Sequence, residues 1–93
     1  MKKGQAVDMQ HLIPLGAGFP VGKTAEFYEF TRCKVRPKFE DLFGNQYVII
    51  GKKKGREQAY LIDSFDDHDK AFEAMKKLVG RIYKSEAMEF VLP

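Results

Sequence analysis

Apolar and polar positions change period along this chain. Two apolar runs, residues 47–50 and 59–62, flank a cationic tip, and from Ala71 onward apolar positions recur at three- and four-residue intervals. In the first stretch Tyr47, Ile49, Tyr60 and Ile62 share one face of two expected strands, and Val48, Ile50, Ala59 and Leu61 share the other. Gly55 offers the positive φ of a tight turn, so residues 47–52 and 57–63 are expected to pair as a hairpin. With Lys54 and Gly55 as its central residues, Lys52 would stand opposite Glu57 and Lys53 opposite Arg56. In the second stretch Ala71, Met75, Leu78 and Ile82, widened by Phe72 and Val79, predict an amphipathic helix over residues 67–84. Asp66 or Asp67 can cap its start, Asp69 adds negative charge to the first turn, and Arg81 and Lys84 suit its C-terminal end.

Upstream the pattern is less regular. Residues 25–35 are rich in β-branched and aromatic side chains and end at Pro37, which predicts a long strand. Its alternation places Phe27, Thr31, Cys33 and Val35 with Glu29 on one face, and Tyr28, Phe30, Arg32, Lys34 and Arg36 on the other. Phe39, Leu42 and Phe43 within residues 38–46 suggest a single helical turn before a Gly44-Asn45 turn. Gly16, Gly18, Pro20 and Gly22 make a connecting loop, residues 1–10 read as a loose N-terminal arm, and residues 87–92 read as an edge strand. The expected architecture is α+β: one small domain, with a mostly antiparallel sheet of four or five strands and one long amphipathic helix covering one face. Because one helix covers one face, the second is expected to meet a partner, a second copy, or the segment around Leu12, Ile13 and Leu15.

Composition narrows the class. The apolar fraction of 44% and charged fraction of 31% are ordinary for a globular domain. No apolar run approaches the roughly eighteen residues of a spanning helix. Gly4, Gln5, Asp8 and Gln10 interrupt any signal-peptide core, so a cytoplasmic location and no membrane association are expected. A single cysteine, Cys33, fits a reducing compartment and a core position. The net charge of +3 permits nucleic-acid binding without demanding it.

Catalytic constellations are not assembled by this chain. Residues 17–24, ending Gly22-Lys23-Thr24, match a permissive phosphate-loop pattern, but a strand is expected after Thr24 where a nucleotide-binding loop needs a helix. Asp66, Asp67, His68 and Asp69 fit helix capping better than metal ligation, and His11 has no companion. Neither an enzyme, a cofactor nor a metal is expected.

What remains is cationic and aromatic. Lys52, Lys53, Lys54 and Arg56 gather at the hairpin tip, and Tyr28, Phe30, Arg32 and Lys34 set rings and cations on one strand face. Phosphates need the cations and bases need the rings. Two readings follow: a protein-interaction or homo-oligomeric adaptor, with a homodimer expected, and alternatively a module for single-stranded DNA or RNA using these eight residues. In order of elements alone, meander strands followed by one helix, residues 26–84 resemble small single-strand-binding folds such as the Pur domains and the positive-cofactor-type coactivators, without a diagnostic motif. That likeness implies the second reading.

Overall fold

In the computed structural model, the residues described are 1–15, 28–53 and 55–79. They form an antiparallel five-stranded sheet and two short α-helices, an α+β architecture. The strands are β1 (Ala6–Val7), β2 (Leu12–Pro14), β3 (Tyr28–Val35), β4 (Tyr47–Lys53) and β5 (Ala59–Phe65), in spatial order β1-β5-β4-β3-β2.

That order forces curvature. β1 and β2 are the two edges, yet only one 3-10 turn, Met9–His11, separates them in sequence. A flat sheet would hold these edges about 19 Å apart, whereas the link reaches on the order of 13 Å. The sheet therefore curls until its edges approach. Inside the curl, Val7 from one edge and Leu12 from the other join Cys33, Val35, Val48, Ile50, Ala59 and Leu61 in a single buried cluster. Phe43 completes it, with Met1 and Phe39 packed alongside.

The N-terminal residues, expected as a loose arm, are part of this sheet. Gly4 N–H donates to Leu61 O at 2.7 Å and Leu61 N–H donates to Gln5 O at 2.9 Å. Asp8 caps the 3-10 turn by accepting from Gln10 N–H. Hydropathy missed β1 because two residues are too few to show a period; its hold on β5 comes from backbone pairing. Of the three covers expected for the second face, the N-terminal segment is the one seen among the described residues: Leu12, with Val7 and Phe43, packs on the hairpin residues of the inner face, while Ile13 is exposed.

On the outer face lies α2 (His68–Val79), twelve residues in place of the long helix expected over 67–84; residues 80–84 lie outside the described residues. Three turns, about 18 Å, suffice to span β3, β4 and β5, the strands it touches. Asp67 supplies the cap: its carbonyl accepts from Ala71 N–H and its carboxylate, at 3.4 Å, from Lys70 N–H. Asp66 instead binds Lys70 Nζ at 3.0 Å, which holds its carboxyl below the usual carboxylate range. Ala71 and Met75 are buried, while Ala74 and Leu78 are half-buried and pack on the same cluster as Phe30 and Ile49.

Two irregularities set the outer face. β5 carries an extra residue, Ile62, because Ile49 pairs with Asp63 but Ile50 pairs with Leu61. This bulge turns Phe65 to the helix side beside Tyr60 and Ile62. It also follows that β5 runs two residues later than the expected 57–63. Gly51 lies directly opposite Phe30, and a Cβ there would meet Phe30 Cδ1 at 2.9 Å. The missing side chain makes room for the ring.

Between β3 and β4, the expected single turn is a 3-10 turn, Pro37–Phe39, running into α1 (Glu40–Phe43). Gly44, at φ 77°, ends it by donating to Glu40 O. Phe43 points inward, but Leu42 is exposed. The glycine loop of residues 16–24, including the phosphate-loop pattern, and the edge strand expected over residues 87–92 lie outside the described residues. Among the described residues, no helix is long and apolar enough to cross a membrane.

Candidate nucleic-acid interface

β3 positions the expected binding face, and its register decides which side chains are available. Phe30 faces α2 and is 0% exposed, so its ring has no face for a base. Sequence alternation placed it correctly beside Arg32; what overturns its binding role is the helix lying over that end of the strand. Tyr28 pairs with Lys53 in the ladder, and its side chain lies outside what is described.

Arg32 is held from three directions. Its guanidinium carbon stands 4.8 Å from the centre of the Phe72 ring, Nη1 donates to His68 Nε2 at 3.2 Å, and Nη2 makes a long contact of 3.5 Å to Leu15 O. A donor at Nη1 requires the lone pair at Nε2, which fixes the tautomer of a neutral His68. Phe72 also carries Lys76 Nζ at 4.6 Å from its centre, and Lys76 reaches Glu73 at 3.3 Å. The ring remains 40% exposed. Tyr47 meets His68 edge to face at 5.6 Å and stands across the ladder from Lys34, which is exposed. Beyond β3, Arg36 and Lys38 are exposed as well.

The hairpin tip is a separate group. Arg56 N–H donates to Lys53 O at 2.9 Å and Gly55 has φ 83°, so the tip closes between Lys53 and Arg56. Lys53 thus stands opposite Arg56 as expected, but the expected pairing of Lys52 with Glu57 is not formed, because residues 56–58 leave the ladder and the next pair is Gly51 with Tyr60. Lys52 pairs with Glu29 across β3, at 3.5 Å, and not with Glu57. Arg56 is exposed, Lys53 is half-buried, and Lys54 lies outside the described residues. Six residue steps separate the Tyr28–Lys53 pair from the Lys34–Tyr47 pair, about 20 Å along β3. Of the eight residues singled out in the sequence, the described cations thus divide into two groups: Arg32 and Lys34 toward one end of β3, and Lys52, Lys53 and Arg56 toward the other.

Sequence reading missed Phe72, Lys76, Tyr47 and His68 as members of this surface. Phe72 was assigned to the apolar stripe of the helix, at whose margin it sits; a flanking position one residue after Ala71 was the available signal.

Other candidates resolve into structural roles. Burial pushes the Cys33 thiol up to about 12, leaving no thiolate near neutral pH. His11 stacks on Phe39 with centroids 4.0 Å apart and touches Phe43 edge-on, as a half-buried part of the inner core. Among the described residues, no group of three or more His, Cys, Asp or Glu side chains is placed to hold a metal ion. In comparisons with known proteins, the chain matches no family, no curated protein and no solved structure.

Proposed function

We propose that the protein is a non-catalytic binding module for single-stranded nucleic acid, engaged through the outer surface formed by Arg32, Lys34, Phe72 and Lys76. One observation carries this reading: the Phe72 ring, 40% exposed, has Arg32 at 4.8 Å and Lys76 at 4.6 Å from its centre, and Lys34 shares the strand face of Arg32. A base stacks on a ring and its phosphates pair with cations, so the combination suits an unpaired strand better than a duplex. The hairpin tip, about 20 Å away along β3, gives the backbone of a longer strand a second cationic contact. The adaptor reading has less support on the inner face, where Val7 and Leu12 pack on the hairpin residues.

Fluorescence anisotropy with a labelled dT12 and its duplex, at 50 and 200 mM salt, tests the proposal. Phe72→Ala is expected to weaken single-strand binding by about 1 to 3 kcal/mol and to leave the duplex unchanged. Lys34→Ala is expected to weaken both and to lower the salt slope by about one. Absence of binding tighter than about 100 μM at low salt, or a salt-independent affinity, overturns the reading. A dimer mass by light scattering in that event returns the adaptor to first place.

A further inference from the structure

We infer that Arg32, His68 and Lys34 form a proton-linked phosphate site at the edge of this surface, in which one anion replaces the imidazole as the acceptor of Arg32. The inference rests on the nucleic-acid reading for its biological ligand, but the chemistry is that of any phosphate group. Arg32 has five N–H donors; among the described residues two engage protein acceptors, His68 Nε2 and Leu15 O. The Phe72 ring, 4.8 Å from the guanidinium carbon, and these two acceptors hold Arg32 at the surface. Guanidinium donors suit bidentate recognition of a phosphate.

The linkage follows from the hydrogen bond itself. His68 accepts from Arg32 only while Nε2 is unprotonated, and a protonated imidazole sets a second cation 3.2 Å from Nη1 with no lone pair to offer. A phosphate between the two relieves that conflict, accepting from both groups. Around His68 the charged and titratable neighbours among the described residues are Arg32 of β3, Tyr47 of β4 and Asp69 of α2, with Lys34 across the ladder from Tyr47. Asp69 Oδ1, at 3.8 Å from Nδ1, is too far for a hydrogen bond but stands on the side away from Arg32 as a counter-charge for the imidazolium. Anion binding and proton uptake at His68 therefore favour each other.

Two measurements test this. In the first, the pH titration of the His68 ring is followed by NMR in 20 mM inorganic phosphate and in chloride at equal ionic strength. A midpoint higher in phosphate is expected, and identical midpoints overturn the inference whatever becomes of nucleic-acid binding. In the second, dT12 affinity is compared at pH 5.5 and 7.5. It is expected to rise several-fold at the lower pH, by no more than about tenfold per unit for one proton. His68→Gln keeps an acceptor for Arg32 without a titrating group, so it is expected to lose the rise between pH 7.5 and 5.5. A rise that persists in that variant overturns the assignment to His68. Binding of dT12 that does not change with pH in the parent leaves the nucleic-acid reading standing and removes the proton-linked site.

Discussion

On the inner face of the sheet, residues from all five strands and α1 meet in one cluster whose buried members include Val7, Leu12, Val35, Val48 and Leu61. On the outer face Phe30, Ile49 and Met75 are buried, and a fringe of half-buried Tyr60, Ile62, Phe65 and Leu78 surrounds them. The inner face is closed by curvature, which brings side chains from distant strands together on a concave surface. The outer face is convex and is covered by one twelve-residue helix. Curvature that concentrates apolar contact inside spreads the strands outside, so the helix covers the centre and leaves a margin. That margin is where Arg32, Lys34, Tyr47, His68 and Phe72 lie. The proposed binding surface therefore lies at the margin of the outer core and away from the inner one.

Truncation on the two faces tests this division most directly. Leu61→Ala is expected to cost about 3 to 5 kcal/mol and Met75→Ala about 2 to 3, read from urea unfolding midpoints at constant m. A larger loss at Met75 would reverse the ranking of the two cores. Phe72→Ala, one turn away on the same helix, is expected to change stability by less than about 0.5 kcal/mol, because the ring is at the margin.

A smaller effect is expected where the outer core depends on an absent side chain. Gly51→Val drives a branched carbon against Phe30 and Ile62, and Phe30 has no exposed space to enter. A loss of about 1 to 3 kcal/mol follows. If the clash with Phe30 is the cause, adding Phe30→Leu to Gly51→Val costs less than it does in the parent, which a double-mutant cycle measures. Additive losses would place the cost elsewhere.

The inner face carries a pH-dependent effect. Burial pushes the Cys33 thiol up to about 12 from an ordinary 9.0, so between those values the folded chain holds a proton that the unfolded chain releases. Its contribution is complete below about pH 9 and is lost as pH rises toward 12. Stability measured from pH 8 to 10.5 should fall less steeply in Cys33→Ala than in the parent. Equal slopes would mean that the thiol ionises in the folded state.

Legibility differed between regions for identifiable reasons. The faces of the hairpin, the stripe through Ala71 and Met75, and the turn at Gly55 were readable because each rests on local period or on a residue with special backbone freedom. β1 was too short to carry a period, and the bulge at Ile62 turns Phe65 to the helix side with no mark in local composition. The site was half legible. Arg32 and Lys34 were placed on one face correctly, but alternation reports which way Phe30 points and not whether anything lies over it.

By itself, then, the sequence determined the antiparallel α+β character, the partition of strand residues between two faces, and the start of the helix at Asp67, since each follows from interactions between near neighbours in the chain. Only the tertiary structure decided that the edges curl together, that Phe30 is core while Phe72 is surface, and that Arg32 is shared between a strand, a helix and the chain at Leu15. Those outcomes depend on which element covers which, and coverage is set by the path of the backbone through space: a four-residue link between β1 and β2 that is too short for a flat sheet fixes the curvature, and the curvature fixes what one helix can hide.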